Sequence, residues 1–373
     1  MSAAPQTETI SSEAGLASLS ESWDELVRSM PRPSPFLLHG WISEWWRHYG
    51  DGATLAVHVA RRDDRLVGAL PLCRRRRFGL SVTEFVGGTK AALADLMLAP
   101  GENGHTALLL ALRAAASSGD FVDLFGMPES NRLAAALPAG SLTLIERLEA
   151  PVLDLSAGWD AVYETRLTSK ARANRRRRSR QLARQGAVDV TVARKPEELG
   201  AALEEAFRLH DLRWRGRRDP GGFCSHSGKA FHRAALLRLA GQDIPRLLTF
   251  NLEGKAIAFS LHLQLERTIY GLAMAFDPAF ARFAPGTETL FRTLETAAGE
   301  GVQRVEFLGA AAEHKLRFTD RLEPIHEGIG LASTLRGRAA VEVFTRGIRV
   351  RRRLKRSHAA QRLYYRVPRF GRG

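Results

Sequence analysis

Cysteine is nearly absent: Cys73 and Cys224 are the only two in 373 residues. They lie far apart and carry no neighbouring ligand pattern. That argues against a disulfide framework and against a cysteine-based zinc site, so no metal is expected. No apolar run approaches the roughly 18 residues of a membrane span. The first residues, Met1-Ser2-Ala3-Ala4-Pro5-Gln6-Thr7-Glu8, lack the basic start and apolar stretch of a secretory signal. The expectation is a reduced, cytoplasmic protein. Phosphate-loop, His-Glu-x-x-His and Gly-x-Ser-x-Gly patterns are also missing, which removes the usual warrant for P-loop, zinc-protease and serine-hydrolase chemistry.

Acid is missing from two stretches. Residues 346–373 hold 11 Lys/Arg and no Asp or Glu, and residues 166–184 hold 9 and none. Together they exceed the formal +15 of the whole chain, so the remainder is mildly acidic. A single phosphate-tracking face would make the fold basic throughout, so DNA is not an expected partner. What is present is ordinary for a folded chain: 45% hydrophobic and 25% charged residues, with length for two domains.

Residues 1–14 are polar and expected to be flexible. Leu16, Leu19, Trp23, Leu26 and Val27 have helical spacing, and residues 35–46 predict a second helix. Thr54 to Ala60 and Leu66 to Leu72 form a hairpin around Asp63-Asp64, and a helix near 106–116 precedes Asp120-Phe121-Val122-Asp123-Leu124-Phe125-Gly126. The same grammar returns later. Arg246 to Asn251, Glu253-Gly254-Lys255 and Ala256 to Leu265 form a hairpin, and Thr268 to Phe276 is a strand. A helix over 286–298 then leads to Gln303-Arg304-Val305-Glu306-Phe307-Leu308-Gly309. This predicts a mixed α/β (α+β) unit duplicated in tandem, with mostly antiparallel sheets and flanking helices. A basic helix from Tyr163 to Gln185, closed at Gly186, links the halves. His262 lies in an alternating strand and reads as a hydrogen-bonded structural histidine.

Three stretches carry a resemblance. They are Ser169-Lys170-Ala171-Arg172-Ala173-Asn174, then Leu209-His210-Asp211-Leu212-Arg213-Trp214, then Phe276-Asp277-Pro278 with Ala284-Pro285-Gly286-Thr287 and Glu313-His314-Lys315. Their order resembles GNAT-type acyltransferases of the CelD/BcsL (BioF2-like) group, linked to cellulose and exopolysaccharide biosynthesis. More distantly it resembles the FemABX peptidoglycan ligases. The resemblance implies a flexible 1–14, a degenerate GNAT-like domain over 15–155, a second over 156–332 with the acyl-CoA site, and a basic helical tail over 333–373.

The implied activity is N-acyl transfer from acyl-CoA to an amine on a small molecule or glycan precursor. The start of the helix at Ala284, Pro285, Gly286 and Thr287 would hold pyrophosphate on free backbone N–H groups, with Met274 and Phe276 beside the thioester. An ordinary helix start is the other reading of that stretch. Lys170, Arg172, Asn174, Arg213, Trp214 and His314 are expected at the substrate, and Lys315, Glu313 and His210 at the chemistry. The basic run also reads as a merely solvated face. Two rivals stay open: a ligase fed by aminoacyl-tRNA, and a non-catalytic adaptor. The tail would meet an anionic inner-membrane surface or polysaccharide-synthesis machinery.

Overall fold

The computed structural model describes residues 5–102, 105–214 and 223–356. Up to the middle of the chain it contains β1 (Gln6–Ile10), α1 (Glu13–Ala17), α2 (Ser20–Ser29), α3 (His39–Tyr49), β2 (Ala53–Arg62), β3 (Arg65–Arg77) and β4 (Leu80–Phe85). Next come β5 (Met97–Leu98), α4 (His105–Ser117), β6 (Phe121–Pro128), α5 (Arg132–Ala136) and β7 (Leu142–Asp154). The later elements begin with α6 (Trp159–Arg166), α7 (Ser169–Ala183), β8 (Val188–Ala193), α8 (Pro196–Trp214) and α9 (His226–Ala240). They continue through β9 (Pro245–Leu252), β10 (Lys255–Leu265), β11 (Thr268–Phe276), α10 (Pro285–Gly299), β12 (Arg304–Glu306), α11 (Glu313–Leu316), β13 (Leu322–Gly330) and α12 (Leu335–Arg356).

Two compact units result. One holds the described residues up to Arg147 and from Pro324 onward; the other holds those between Leu148 and Glu323. These boundaries differ from the expected 155/156 and 332/333. In the first unit β1, β2, β3 and β4 are successively antiparallel, and β4 then runs parallel to β6, with Val82 opposite Phe121. In the second unit β8, β9, β10 and β11 repeat that order, and β11 runs parallel to β12, with Thr268 opposite Arg304. The matched segments at Asp120 and Gln303 thus occupy equivalent strands. Both central hairpins turn through two residues of positive φ, Asp63-Asp64 and Glu253-Gly254, the geometry that suits strand twist.

The strand beside β6 or β12 comes from a segment distant in sequence. β13 lies antiparallel to β6, with Ile329 opposite Asp123, and the later part of β7 lies antiparallel to β12, with Val305 opposite Leu153. An unpaired sheet edge leaves backbone groups unsatisfied, and either strand answers that need. This is why the boundaries fall inside β7 and β13.

Three expectations change. Residues 1–14 are not uniformly loose, because Gln6–Ile10 pairs with β2, and Ser12 caps α1 by accepting from the Gly15 N–H. The basic linker is two helices, because the Thr168 hydroxyl accepts from the Ala171 N–H and starts α7 afresh. The tail is not detached over its first turns. Ala340, Val341, Phe344 and Ile348 of α12 pack with Val82, Phe121 and Ile329 of the first unit. Asp120 anchors that helix start, accepting from Thr334 Oγ1 at 2.7 Å and Arg336 Nε at 2.6 Å. Arg336, then Thr334 and the Ser81 N–H, hold the Asp120 carboxyl down at about 2. The tail residues 357–373, including Leu363, Tyr364 and Tyr365, lie outside the described residues. Among the described residues, no helix is long and apolar enough to cross a membrane.

The second unit's core gathers Trp159, Phe291, Phe318, Leu290 and Leu294. Phe291 meets Phe318 edge to face at 5.3 Å. This aromatic floor fixes α6 and α10, and with them the walls of the site described next.

Candidate functional site

β11 and β12 are hydrogen-bonded over only three residue pairs, ending at Tyr270 opposite Glu306. The expected strand through Gly309 stops at Glu306 because Leu308 and Gly309 adopt left-handed backbone, at φ 48° and 59°. The chain turns off, and β11 continues to Phe276 paired only on its β10 side. Opposite the parting, a bulge in the β10 pairing between Leu261 and His262 kinks the sheet. Gly271 to Met274 are accordingly half-exposed, while Tyr270 just before them is buried. Main-chain groups of β11 here face an opening between two parallel strands.

Lys315 secures this opening. Its Nζ donates to the Leu308 carbonyl at 2.5 Å and approaches the Ala310 carbonyl at 3.4 Å. Burial lowers its pKa to about 8. The expected catalytic lysine is therefore engaged in holding the left-handed turn. Lys315→Met should lower stability by about 1–3 kcal/mol, since the Leu308 carbonyl loses its donor. Urea denaturation tests this, and an unchanged midpoint would show that the contact is dispensable. His314 is half-buried, and desolvation, then Lys315 and Arg317, lower its pKa. Glu313 is exposed.

A cleft opens beside the start of α10, lined by Ala171, Arg175, Arg178, Leu182, Phe250, Thr287, Glu288, Phe291 and Arg317 among others. Arg175 donates from Nε and Nη2 to the two carboxylate oxygens of Glu288, each at 2.7 Å. Its guanidinium lies 4.4 Å from the ring centre of Phe291 and 5.4 Å from that of Tyr163. Burial opposes this charge, but Glu288 outweighs it and raises the Arg175 pKa. Arg178 and Arg317 are half-buried in the same cleft and take no carboxylate partner among the described residues. The cleft is therefore a neutral ion pair flanked by two available guanidiniums.

Part of the helix start is already hydrogen-bonded. Pro285 has no N–H, and the N–H groups of Thr287 and Glu288 already donate to the Ala284 carbonyl, which sits in left-handed backbone at φ 53°. Packing also bears on Gly286: a Cβ there would come within 2.8 Å of the Phe276 ring. Replacing it would disturb packing, whatever the cleft binds. Thr287 does line the cleft.

The remaining expected residues divide. Arg172 donates to the carbonyls of Glu164 and Leu167, so it caps the end of α6. Lys170 is exposed, and Asn174 is half-buried. Arg213 lies 4.8 Å over Phe276 and 5.6 Å over Trp214, which places this end of α8 against the end of β11. His210 is elsewhere engaged: its Nδ1 lies 3.3 Å from Cys224 Sγ, and burial lowers its pKa to about 4. His262 is buried, but its Nδ1 has no hydrogen-bond partner among the described residues, contrary to the expected satisfied histidine, and burial lowers its pKa to about 3.

Arg175, Arg178, Glu288 and Arg317 were not among the expected site residues. A signal for the first two existed. Ala171, Arg175, Arg178 and Leu182 share one helical stripe, so the apolar members mark which arginines of the run turn inward.

Residues 169–316 match the acetyltransferase (GNAT) domain family. No curated protein matches the sequence. The fold is similar to that of FemX, at 12% identity over 88% of this chain and 98% of that one, with a TM-score of 0.61. It is similar to the C-terminal domain of a protein described as a lysylphosphatidylglycerol synthetase from Agrobacterium fabrum, at 13% identity over 88% and 95%, TM-score 0.52. A tandem GNAT protein from the clavulanic acid biosynthesis pathway is also similar, at 15% identity over 88% and 100%, TM-score 0.50. The two units are thus a tandem GNAT-like fold; the strand opening lies within the segment that matches the acetyltransferase family, and so does the arginine cleft apart from Leu167 and Arg317, which stand just outside its two ends.

Proposed function

We propose that the second unit transfers an acyl group from acyl-CoA to an amine. The observation that carries this reading is the β11–β12 opening beside a cleft with two available guanidiniums. Arg178 and Arg317 suit the phosphates of the donor, since a planar guanidinium can grip phosphate oxygens in pairs. A main-chain N–H near Met274 to Phe276 would polarise the thioester carbonyl. The attacking amine must lose a proton, and His314, whose pKa burial lowers, fits the acceptor of that proton. Lys315 positions the opening, and Arg213 with Trp214 would border the acceptor. The acceptor class is a small-molecule or glycan-precursor amine, in keeping with the CelD/BcsL resemblance.

The exposed arginines of α7, Arg176, Arg177 and Arg180, together with the FemX-like fold, favour a second reading in which the donor is aminoacyl-tRNA. Calorimetric titration with coenzyme A, compared with tRNA binding across a salt series, separates the two. Saturable coenzyme A binding with thiol release from an acyl-CoA and an amine supports the first. Steeply salt-dependent tRNA binding without coenzyme A binding supports the second.

A further inference from the structure

We infer that His210, Asp211 and Cys224 form a binding site for a zinc-class divalent metal. One ligand atom from each lies within 4.8 Å of the others. The imidazole Nδ1 and the thiol Sγ are 3.3 Å apart. Tetrahedral zinc with ordinary bond lengths separates a nitrogen and a sulfur ligand by about 3.5 Å, so this pair needs almost no rearrangement. The donor set of imidazole, thiolate and carboxylate is one that favours zinc over calcium or magnesium. Three protein ligands leave a fourth position for water.

The sequence hid this site because its ligands have no conventional spacing. His210 and Asp211 are adjacent near the end of α8, and Cys224 stands two residues before α9. Packing of α8 against α9 brings the thiol back over the imidazole. A metal there would clamp the two helices together close to Trp214 and Arg213, and so fix the residues placed over Phe276. The site does not depend on the acyl-transfer reading.

Lys229 is the competitor. Its Nζ donates to Asp211 Oδ2 at 2.6 Å, so metal binding must displace an ammonium from the carboxylate. Both partners of that ion pair are partly exposed, at 28% and 34% of side-chain area, and such a pair is weak. Displacement is therefore cheap for the metal, and it supplies a distinguishing test.

The test titrates the metal-free full-length protein with Co2+, following the thiolate-to-cobalt absorption band, and then with Zn2+ by calorimetry. One equivalent should bind with that band. Cys224→Ala and His210→Ala should each weaken binding by about 10²-fold or more, beyond the loss caused by an outer-shell change. Lys229→Met should tighten it roughly fivefold, the value of one partly exposed ion pair. In the unmutated protein Zn2+ should protect Cys224 from iodoacetamide, which keeps the test valid if a variant misfolds. Binding without the band, affinity unchanged by Cys224→Ala, or no protection of Cys224 would overturn the assignment.

Discussion

Glu288→Ala should destabilise the second unit by about 3–5 kcal/mol, the loss expected when one member of a buried ion pair is removed. Only 18% of the Arg175 side chain and 10% of that of Glu288 are exposed, so water cannot take over from the carboxylate. The stranded guanidinium would remain against Phe291 and Tyr163, in the aromatic floor that supports α6 and α10. Arg292, at 3.2 Å from the same carboxylate, would lose a partner too, but it is half exposed and its share is small. Replacing both partners with apolar residues, Arg175→Met with Glu288→Leu, should recover most of the stability, because the uncompensated charge is gone. Chemical denaturation of the three variants measures this. A loss under about 1 kcal/mol for Glu288→Ala would mean that the pair is solvated and not part of the floor.

Arg178→Glu and Arg317→Glu should each weaken coenzyme A binding by about 1.5–3 kcal/mol, roughly ten- to a hundred-fold, as expected for loss of a hydrogen bond between charged groups. The double variant should lose more than either and show a shallower salt dependence. Stability should change little, since neither guanidinium has a carboxylate partner to strand. Arg113→Glu, on an exposed position of α4 in the other unit, removes the same net charge without touching the cleft and serves as the control. Equal losses in that control would reduce the effect to general electrostatics. Unchanged affinity in the double variant would place the donor phosphates elsewhere.

The repeated hairpin, strand and helix order was legible in the sequence because each element carries its own signal. Short apolar or alternating runs mark β2, β3, β9 and β10, and the pairs Asp63-Asp64 and Glu253-Gly254, both at positive φ, mark their turns. The start of α10 was equally plain from Pro285. These are local preferences, set by residues within a turn or two of each other.

What the tertiary structure decided is everything that depends on a partner distant in sequence. β7 and β13 are not singled out by any local signal, and nothing local says that β13 returns to β6 of the first unit or that the later part of β7 pairs with β12 of the second. At Gly286 the sequence does not disclose that the ring of Phe276 lies against the space of the missing Cβ. Lys315 is expected at the chemistry, and only the fold shows that its Nζ donates to the Leu308 carbonyl. The arginine run gave charge but not direction. Arg172 caps a helix, Arg175 meets Glu288 113 residues away, and Arg178 lines the cleft. Cys224 appeared alone until α8 and α9 packed. Side-chain roles were the least legible layer, because a guanidinium, an ammonium or a thiol can take several partners, and only the folded chain selects among them.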